Sequence, residues 1–444
     1  MKNLLIAVFV VTALLISIPL LSQKRDYWPH DGWKTKLPEE VGMDTLKLIN
    51  MKSTIQSSMK YVDAFLIVKD GYLVFENYYN GYNDSTFHHL WSSTKSVTNI
   101  MMGIMFKKKY VDDVNLRVID FFPEYDTINS DRRIEDITLE HLMAFTAGLN
   151  SRDAEAYASS SIDALKYYFG NTFISNPGAQ FKYATPASHF QSALITKILG
   201  ITEKELAEQE LFPKLGIDNY NWITDESGYS YGGHNSYFCP RDMLKFGYLY
   251  LNQGIWNGDT IVDPEFVKTS TSIHTNGGTP HNEKYGYNWW ITTNNGYNAY
   301  FAGGFGGQFI YVVPDLDLVV AITCNSNSHR ENARFLINTH VVPSIIQQST
   351  SIQYLKKNEN LEIQVFPNPV KDNVKVNFNI ERKVSVNLNL TDLFGRKVLN
   401  LLNNEIFEAG NYTLGFDLNL SSGLYFINGQ IGEAFIRKNL IIIK

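Results

Sequence analysis

Cysteine is nearly absent from this 444-residue chain. Only Cys239 and Cys324 occur, so at most one disulfide can form, and neither a disulfide-stapled scaffold nor a thiolate metal cluster can be built. Two buried free thiols are the expectation. Basic charge is also short: 39 Lys and Arg against 45 Asp and Glu leave a formal charge of −6, which offers no footprint for a nucleic-acid backbone. Nucleic acid is therefore excluded as a partner. No His-Glu-x-x-His, Cys-x-x-Cys or phosphate-loop pattern is present, and no metal or other cofactor is expected. Long apolar runs are missing too, with one exception at the start. Leu4 to Leu21 follows Lys2 and precedes Ser22, Gln23, Lys24 and Arg25. Pro19 and the small polar residues after Leu21 suit a cleavage region, so residues 1–23 read as a signal peptide, an uncleaved anchor being the alternative.

What is present describes a globular protein: 44% hydrophobic, 14% aromatic and 19% charged residues, enough for a packed core. The length exceeds one domain of about 100–200 residues. A helical stretch near Met43 to Lys60 precedes VDAFLIVKDGYLVFENYY, which reads as two strands around Asp70-Gly71. From Ser92 to about Tyr250 the pattern is helical, broken at Ala147-Gly148, Asn176-Pro177-Gly178 and Gly232-Gly233. Strands return in YGYNWWITT, a turn at Asn294-Asn295-Gly296, YNAYFAGG and QFIYVVPDLDLVVAITCN. Strands at both ends with helices between them imply one mixed α/β sheet closed by the two halves of the chain, covering residues 24–346. Residues 347–360 are polar and read as a linker. Beyond them VKVNFNI and VSVNLNL alternate with period two, as half-buried antiparallel strands do, so residues 361–444 read as a small all-β sandwich. No fixed-period repeat is visible.

The chemistry is concentrated in LWSSTKSVTNIMMGIMF, residues 90–106. Ser92 and Lys95 are three apart at the start of a helix whose Val97, Ile100, Met101, Ile104 and Met105 recur at helical spacing, so they share a face and that helix is buried. An amine taken out of water tends to shed its proton, and a neutral amine beside a hydroxyl is a base beside a nucleophile. Ser57-Ser58-Met59-Lys60 matches the same pattern but closes a helix. Ser92 opens one, where unpaired N–H groups and the dipole favour the negative oxygen of acyl transfer. Two further stretches join it: NPGAQFKYATPASHF sets Tyr183 between a turn and an amphipathic helix, and FAGGFGGQFIYVV sets a glycine cluster at a strand start.

Together these stretches resemble the serine β-lactamase and penicillin-binding fold, in the class C-like branch that also holds esterases, D-amino-acid peptidases and nylon-oligomer hydrolases. SSTKS is similar to the nucleophile motif, FKYAT to the Tyr-x-Asn motif, and AGGFGG takes the place of the Lys-Thr-Gly or His-x-Gly strand. DGYLVFENY, ITLEHLMAFTAGL and SYFCPRDMLKFGYLYLNQGIW add support. The resemblance spans residues 40–345 and implies an antiparallel sheet flanked by helices, plus a helical subdomain. It makes Ser92 the nucleophile, Lys95 its base, Tyr183 a proton carrier, and the amides of Ser92 and Phe305 the oxyanion donors, with Gly303, Gly304 and Thr185 against the substrate. Thr185 stands where the family has Asn, and Ala302 where it has Lys or His. Losing a charged hydrogen bond to a substrate carboxylate costs about 1.5–3 kcal/mol, so esters or linear amides are expected over penicillin-like substrates. A D-amino-acid peptidase, a true β-lactamase and an inactive surface-binding relative are the alternatives.

Lesser candidates are His88-His89, which point opposite ways on a strand; His234, Asn235, Trp289 and Trp290, as cleft or core; and Cys239 before Pro240, where a helix start could acidify a thiol. The C-terminal stretches VFPNPVKDNVKVNF, LTDLFGRKVL and LSSGLYFINGQIGEAFIRKNLIIIK resemble the sorting domain of type IX secretion. That resemblance implies export to the outer surface and the secretion machinery as a partner.

Overall fold

The computed structural model describes residues 25–151, 163–326, 333–346, 363–392, 397–432 and 434–444. The expected signal peptide and linker lie outside the described residues. Two compact units are formed, the first ending at Ser344 and the second running through Ile345–Lys444.

The first unit is built on an eight-stranded antiparallel sheet in the order β2-β1-β13-β12-β11-β10-β9-β8. Helix α1 (Thr45–Ser58) leads into β1 (Val62–Lys69), and a turn at Asp70-Gly71, both with positive φ, returns the chain as β2 (Tyr72–Tyr78). The sheet then waits for the far end of the chain. Apart from β6 (Ile255–Trp256) and β7 (Asp259–Thr260), which pair only with each other, its remaining strands are β8 (Thr275–Gly278), β9 (Glu283–Tyr285), β10 (Trp290–Asn294), β11 (Tyr297–Gly304), β12 (Gln308–Val313) and β13 (Leu318–Cys324). The last of these pairs with β1, Phe65 opposite Ile322 and Ile67 opposite Val320. Every residue of β1 and β13 is buried, which is why both read as near-continuous apolar runs: such strands are covered on both faces.

Between the halves run the helices α2 (Thr94–Lys107), α3 (Thr185–Leu199), α4 (Glu203–Glu210) and α5 (Pro240–Leu251). The helical reading of residues 92–250 passed over the short strands β4 (Tyr220–Trp222) and β5 (Ser236–Phe238), which form a small sheet with β3 (His88–His89), the strand just before α2. Two- and three-residue strands are too short to show a period. Gly247 lets α5 lie close on the sheet: a Cβ there would come within 2.7 Å of Val319 and 2.8 Å of Ile310.

The second unit holds β14 (Gln364–Phe366), β15 (Asn373–Ile380), β16 (Val384–Thr391), β17 (Lys397–Phe407), β18 (Gly410–Asp417), β19 (Gly423–Ile431) and β20 (Ala434–Ile442), paired as a sandwich of sheets β14-β15-β18 and β17-β16-β19-β20. Strand β15 (Asn373–Ile380) buries Val374, Val376, Phe378 and Ile380 in alternation, and these pack with Val386, Leu388, Leu390, Ile427 and Leu440 into a core of their own. Among the described residues no helix is long and apolar enough to cross a membrane.

Candidate active site

Ser92 lies in a single tight turn, Trp91–Ser93, immediately before α2 starts at Thr94. Trp91 is held at φ 47°, a left-handed conformation that is uncommon for a bulky residue. Leu90 anchors the turn from below through its N–H to the Ser236 carbonyl, 2.9 Å. From Thr94 to Met105 every residue of α2 is buried, so Lys95 has its stem inside the protein and is only 2% exposed. Its Nζ donates to Ser92 Oγ at 2.9 Å and to the Gly233 carbonyl at 2.8 Å. The same Nζ sits 5.1 Å from the centroid of the Tyr183 ring, and Tyr183 is braced edge-on by Phe145 at 5.1 Å and face-on by Trp290 at 5.8 Å. The structure thus brings Ser92, Lys95 and Tyr183 together.

The glycine stretch faces this turn. Gly303 and Gly304 end strand β11, and Phe305, Gly306 and Gly307 turn into β12, which corrects the reading of the cluster as a strand start. Gly306 and Gly307 have φ of 74° and 99°, so a turn was required where glycine alone is unstrained. A Cβ on Gly304 would collide with the Leu90 carbonyl, and Ser93 Oγ donates to the Gln308 carbonyl at 3.1 Å. The segments carrying the Ser92 and Phe305 amides are therefore locked side by side. A Cβ on Gly303 would run into His281 Nε2. This imidazole, from the β8–β9 hairpin, fills space beside the strand that carries Ala302. Thr185 is buried at the first position of α3, and its Cγ2 would lie 2.5 Å from a Cβ on Gly233.

Gly232-Gly233 is the support that sequence reasoning missed. Gly232 accepts from Thr98 Oγ1 at 2.7 Å, and its N–H donates to His189 Nδ1 at 3.4 Å. His189, wholly buried on α3, bonds Asp225 through Nε2 at 2.8 Å. Although burial acts to raise the Asp225 carboxyl, the hydrogen bond and charge of His189 outweigh it and hold the carboxyl below its ordinary value. Gly232 also abuts the Ser188 carbonyl, 2.5 Å from where its Cβ would be. The loop that offers a carbonyl to Lys95 is thereby pinned to the helix that follows Tyr183. Asn288, buried at φ 56°, joins the same helices: its carbonyl accepts from Ser96 at 2.6 Å and its Nδ2 donates to Gln191 at 2.7 Å. His234 stacks on Tyr231, and burial, with a smaller push from Lys95, drives it down to about 3. It is neutral at physiological pH. The Gly-Gly dipeptide was visible in the sequence, but only as punctuation.

The lesser candidates divide. Ser57 and Lys60 are exposed at the end of α1, Lys60 bonding the Gln56 carbonyl. His88 is buried 4.0 Å from Asp63 and stacks on Tyr82, while His89 points the other way; among the described residues no cluster of His, Cys, Asp or Glu is arranged to hold a metal. Trp289 is core, donating to Asn99 at 3.1 Å, and Trp290 is the wall behind Tyr183. Cys239 caps α5, yet its thiol is pushed up to about 11 by burial, the reverse of acidification. Both cysteines are free and buried.

A turn presenting serine ahead of a buried helix whose first turn carries lysine, against the glycine-rich end of a central antiparallel strand, defines a class of acyl-transfer hydrolase architecture. Residues 51–339 match the Beta-lactamase family, and the chain belongs to that family of serine hydrolases. Residues 364–443 match the secretion system C-terminal sorting domain, which indicates secretion or a cell-surface location. Over 281 residues the chain is 24% identical to a 6-aminohexanoate-dimer hydrolase of Paenarthrobacter ureafaciens, covering 58% of this chain and 71% of that protein. Among solved structures, an octameric penicillin-binding protein homologue from Pyrococcus abyssi superposes with a TM-score of 0.54 at 16% identity, over 90% of this chain and 96% of that one. EstCE1, a hydrolase with promiscuous acyltransferase activity, gives 0.56 at 15% identity, over 68% and 98%.

Proposed function

We propose that the protein is exported and cleaves esters or linear amides through an acyl-enzyme on Ser92. The observation that carries this reading is the pair of hydrogen bonds from Lys95 Nζ, to Ser92 Oγ and to the Gly233 carbonyl. A neutral amine that spends one N–H on Gly233 can turn its lone pair to the serine hydroxyl. As Oγ attacks the substrate carbonyl carbon, its proton passes to Lys95 Nζ, and the carbonyl oxygen becomes an oxyanion beneath the amides of Ser92 and Phe305. Collapse breaks the bond to the leaving group, which takes a proton relayed from Lys95 through the Tyr183 hydroxyl. Water then repeats the sequence to release the acid. With Ala302 in place of a cation and Thr185 in place of an amide, a penicillin-like carboxylate is held weakly.

Incubation with a fluorophosphonate probe should label the parent and not Ser92→Ala, and p-nitrophenyl esters of short acids should be turned over faster than nitrocefin. Absence of labelling on a folded parent would sink the enzyme. Efficient turnover of nitrocefin without ester cleavage would sink the substrate preference.

A further inference from the structure

One exposed aromatic at this site has no part in the proton transfers above. Trp91, directly before the proposed nucleophile, is 40% exposed, and among the tryptophans of the described residues it alone is exposed. A large ring left in water at a left-handed backbone position is disfavoured twice, by exposure and by strain. The ring is nevertheless fixed. His89 stacks beneath it with centroids 4.0 Å apart and planes at 28°, Tyr237 stacks on His89 at 4.6 Å, and Phe305 meets the indole edge-on at 5.4 Å. His89 is itself tied down, its Nε2 accepting from the Asn235 N–H at 3.0 Å. Burial drives His89 down to about 4, so the stack carries no charge at neutral pH and gives a carboxylate no reason to settle there.

The geometry points to Trp91 as a binding shelf for a flat, uncharged, apolar ring carried next to the scissile carbonyl, so that aryl esters or amides are the substrate class. This rests on the hydrolase reading and narrows it. The indole joins the segment that bears Ser92 to the one that bears Phe305, so a ring lying on it is held beside the carbonyl those two residues would engage. Offset stacking and edge-to-face contact are the geometries aromatic pairs prefer.

The test compares 2-naphthyl acetate and methyl 2-naphthoate with vinyl acetate and methyl butyrate, in the full chain. Trp91→Asn removes the ring and suits the left-handed backbone, while Trp91→Phe keeps a flat ring. Trp91→Asn should lower the ratio of kcat/KM for a naphthyl ester over its alkyl partner by about fivefold, and Trp91→Phe should keep that ratio within about twofold. An unchanged ratio in Trp91→Asn, or an equal fall in both variants, overturns the shelf. Fluorophosphonate labelling run in parallel separates the two readings: a labelled parent with an unchanged ratio defeats the shelf alone, and an unlabelled parent defeats the hydrolase.

Discussion

Ser57-Ser58-Met59-Lys60 and Ser92-Ser93-Thr94-Lys95 carry the same two side chains at the same spacing and end in opposite surroundings. The first sits at the C-terminal end of α1, with serine and lysine exposed and the ammonium spent on a carbonyl of its own helix. The second runs into the N-terminus of α2, with the lysine inside the protein and its Nζ shared between the serine and a carbonyl 138 residues away. Spacing sets which side chains meet. Burial and helix polarity decide whether that meeting has chemical consequences.

The comparison breaks most sharply at the lysines. Lys95→Met should reduce ester turnover by about 10³-fold, the range of a lost general base, and Lys60→Met should leave it within about twofold, as read from kcat/KM on a p-nitrophenyl ester. A second test asks how dry the interior behind α2 is. Glu203, at the first turn of α4, is fully buried and its oxygens lack donors: the nearby Thr98 and Ser192 hydroxyls give their hydrogens to Gly232 and Ser230. Burial pushes its carboxyl up to about 7. Because this value lies above that of the unfolded chain, stability falls as pH rises from about 4.5 through 7 and then levels. Glu203→Gln should flatten that fall and raise stability at pH 8 by about 3 kcal/mol relative to pH 4.5; denaturant titrations of parent and variant at both pH values would show it. The smallest effect belongs to His189. His189→Phe releases Gly232 and lets the Gly233 carbonyl drift, lowering kcat about tenfold with little change in KM. His189→Asn, retaining an acceptor, should restore part of the rate, which a merely looser fold would not allow.

Much of this was legible in the sequence, and what was not has a common cause. The β1–β2 hairpin followed from Asp70-Gly71, the buried helix from its apolar period, and Tyr183 from its position between a turn and a helix. The C-terminal sandwich followed from strict alternation in Asn373–Ile380. Contacts made by backbone carbonyls leave no such mark. The Gly233 oxygen could be anyone's, and His189, Asp225 and Asn288 earn their places only through partners far along the chain. The two adjacent tryptophans show the same limit: one is core and the other walls the site, a choice set by which side of the sheet each faces. Cys239 shows a different one, since a helix start lowers a thiol and burial raises it, and only the structure shows that burial wins.

The most direct test is to locate the covalent adduct. After fluorophosphonate treatment of the full chain, proteolysis and mass spectrometry should place the adduct on Ser92, in the peptide that also holds Lys95, with nothing on Ser57. An adduct on Ser57, or one that persists on another serine in Ser92→Ala, would contradict the account.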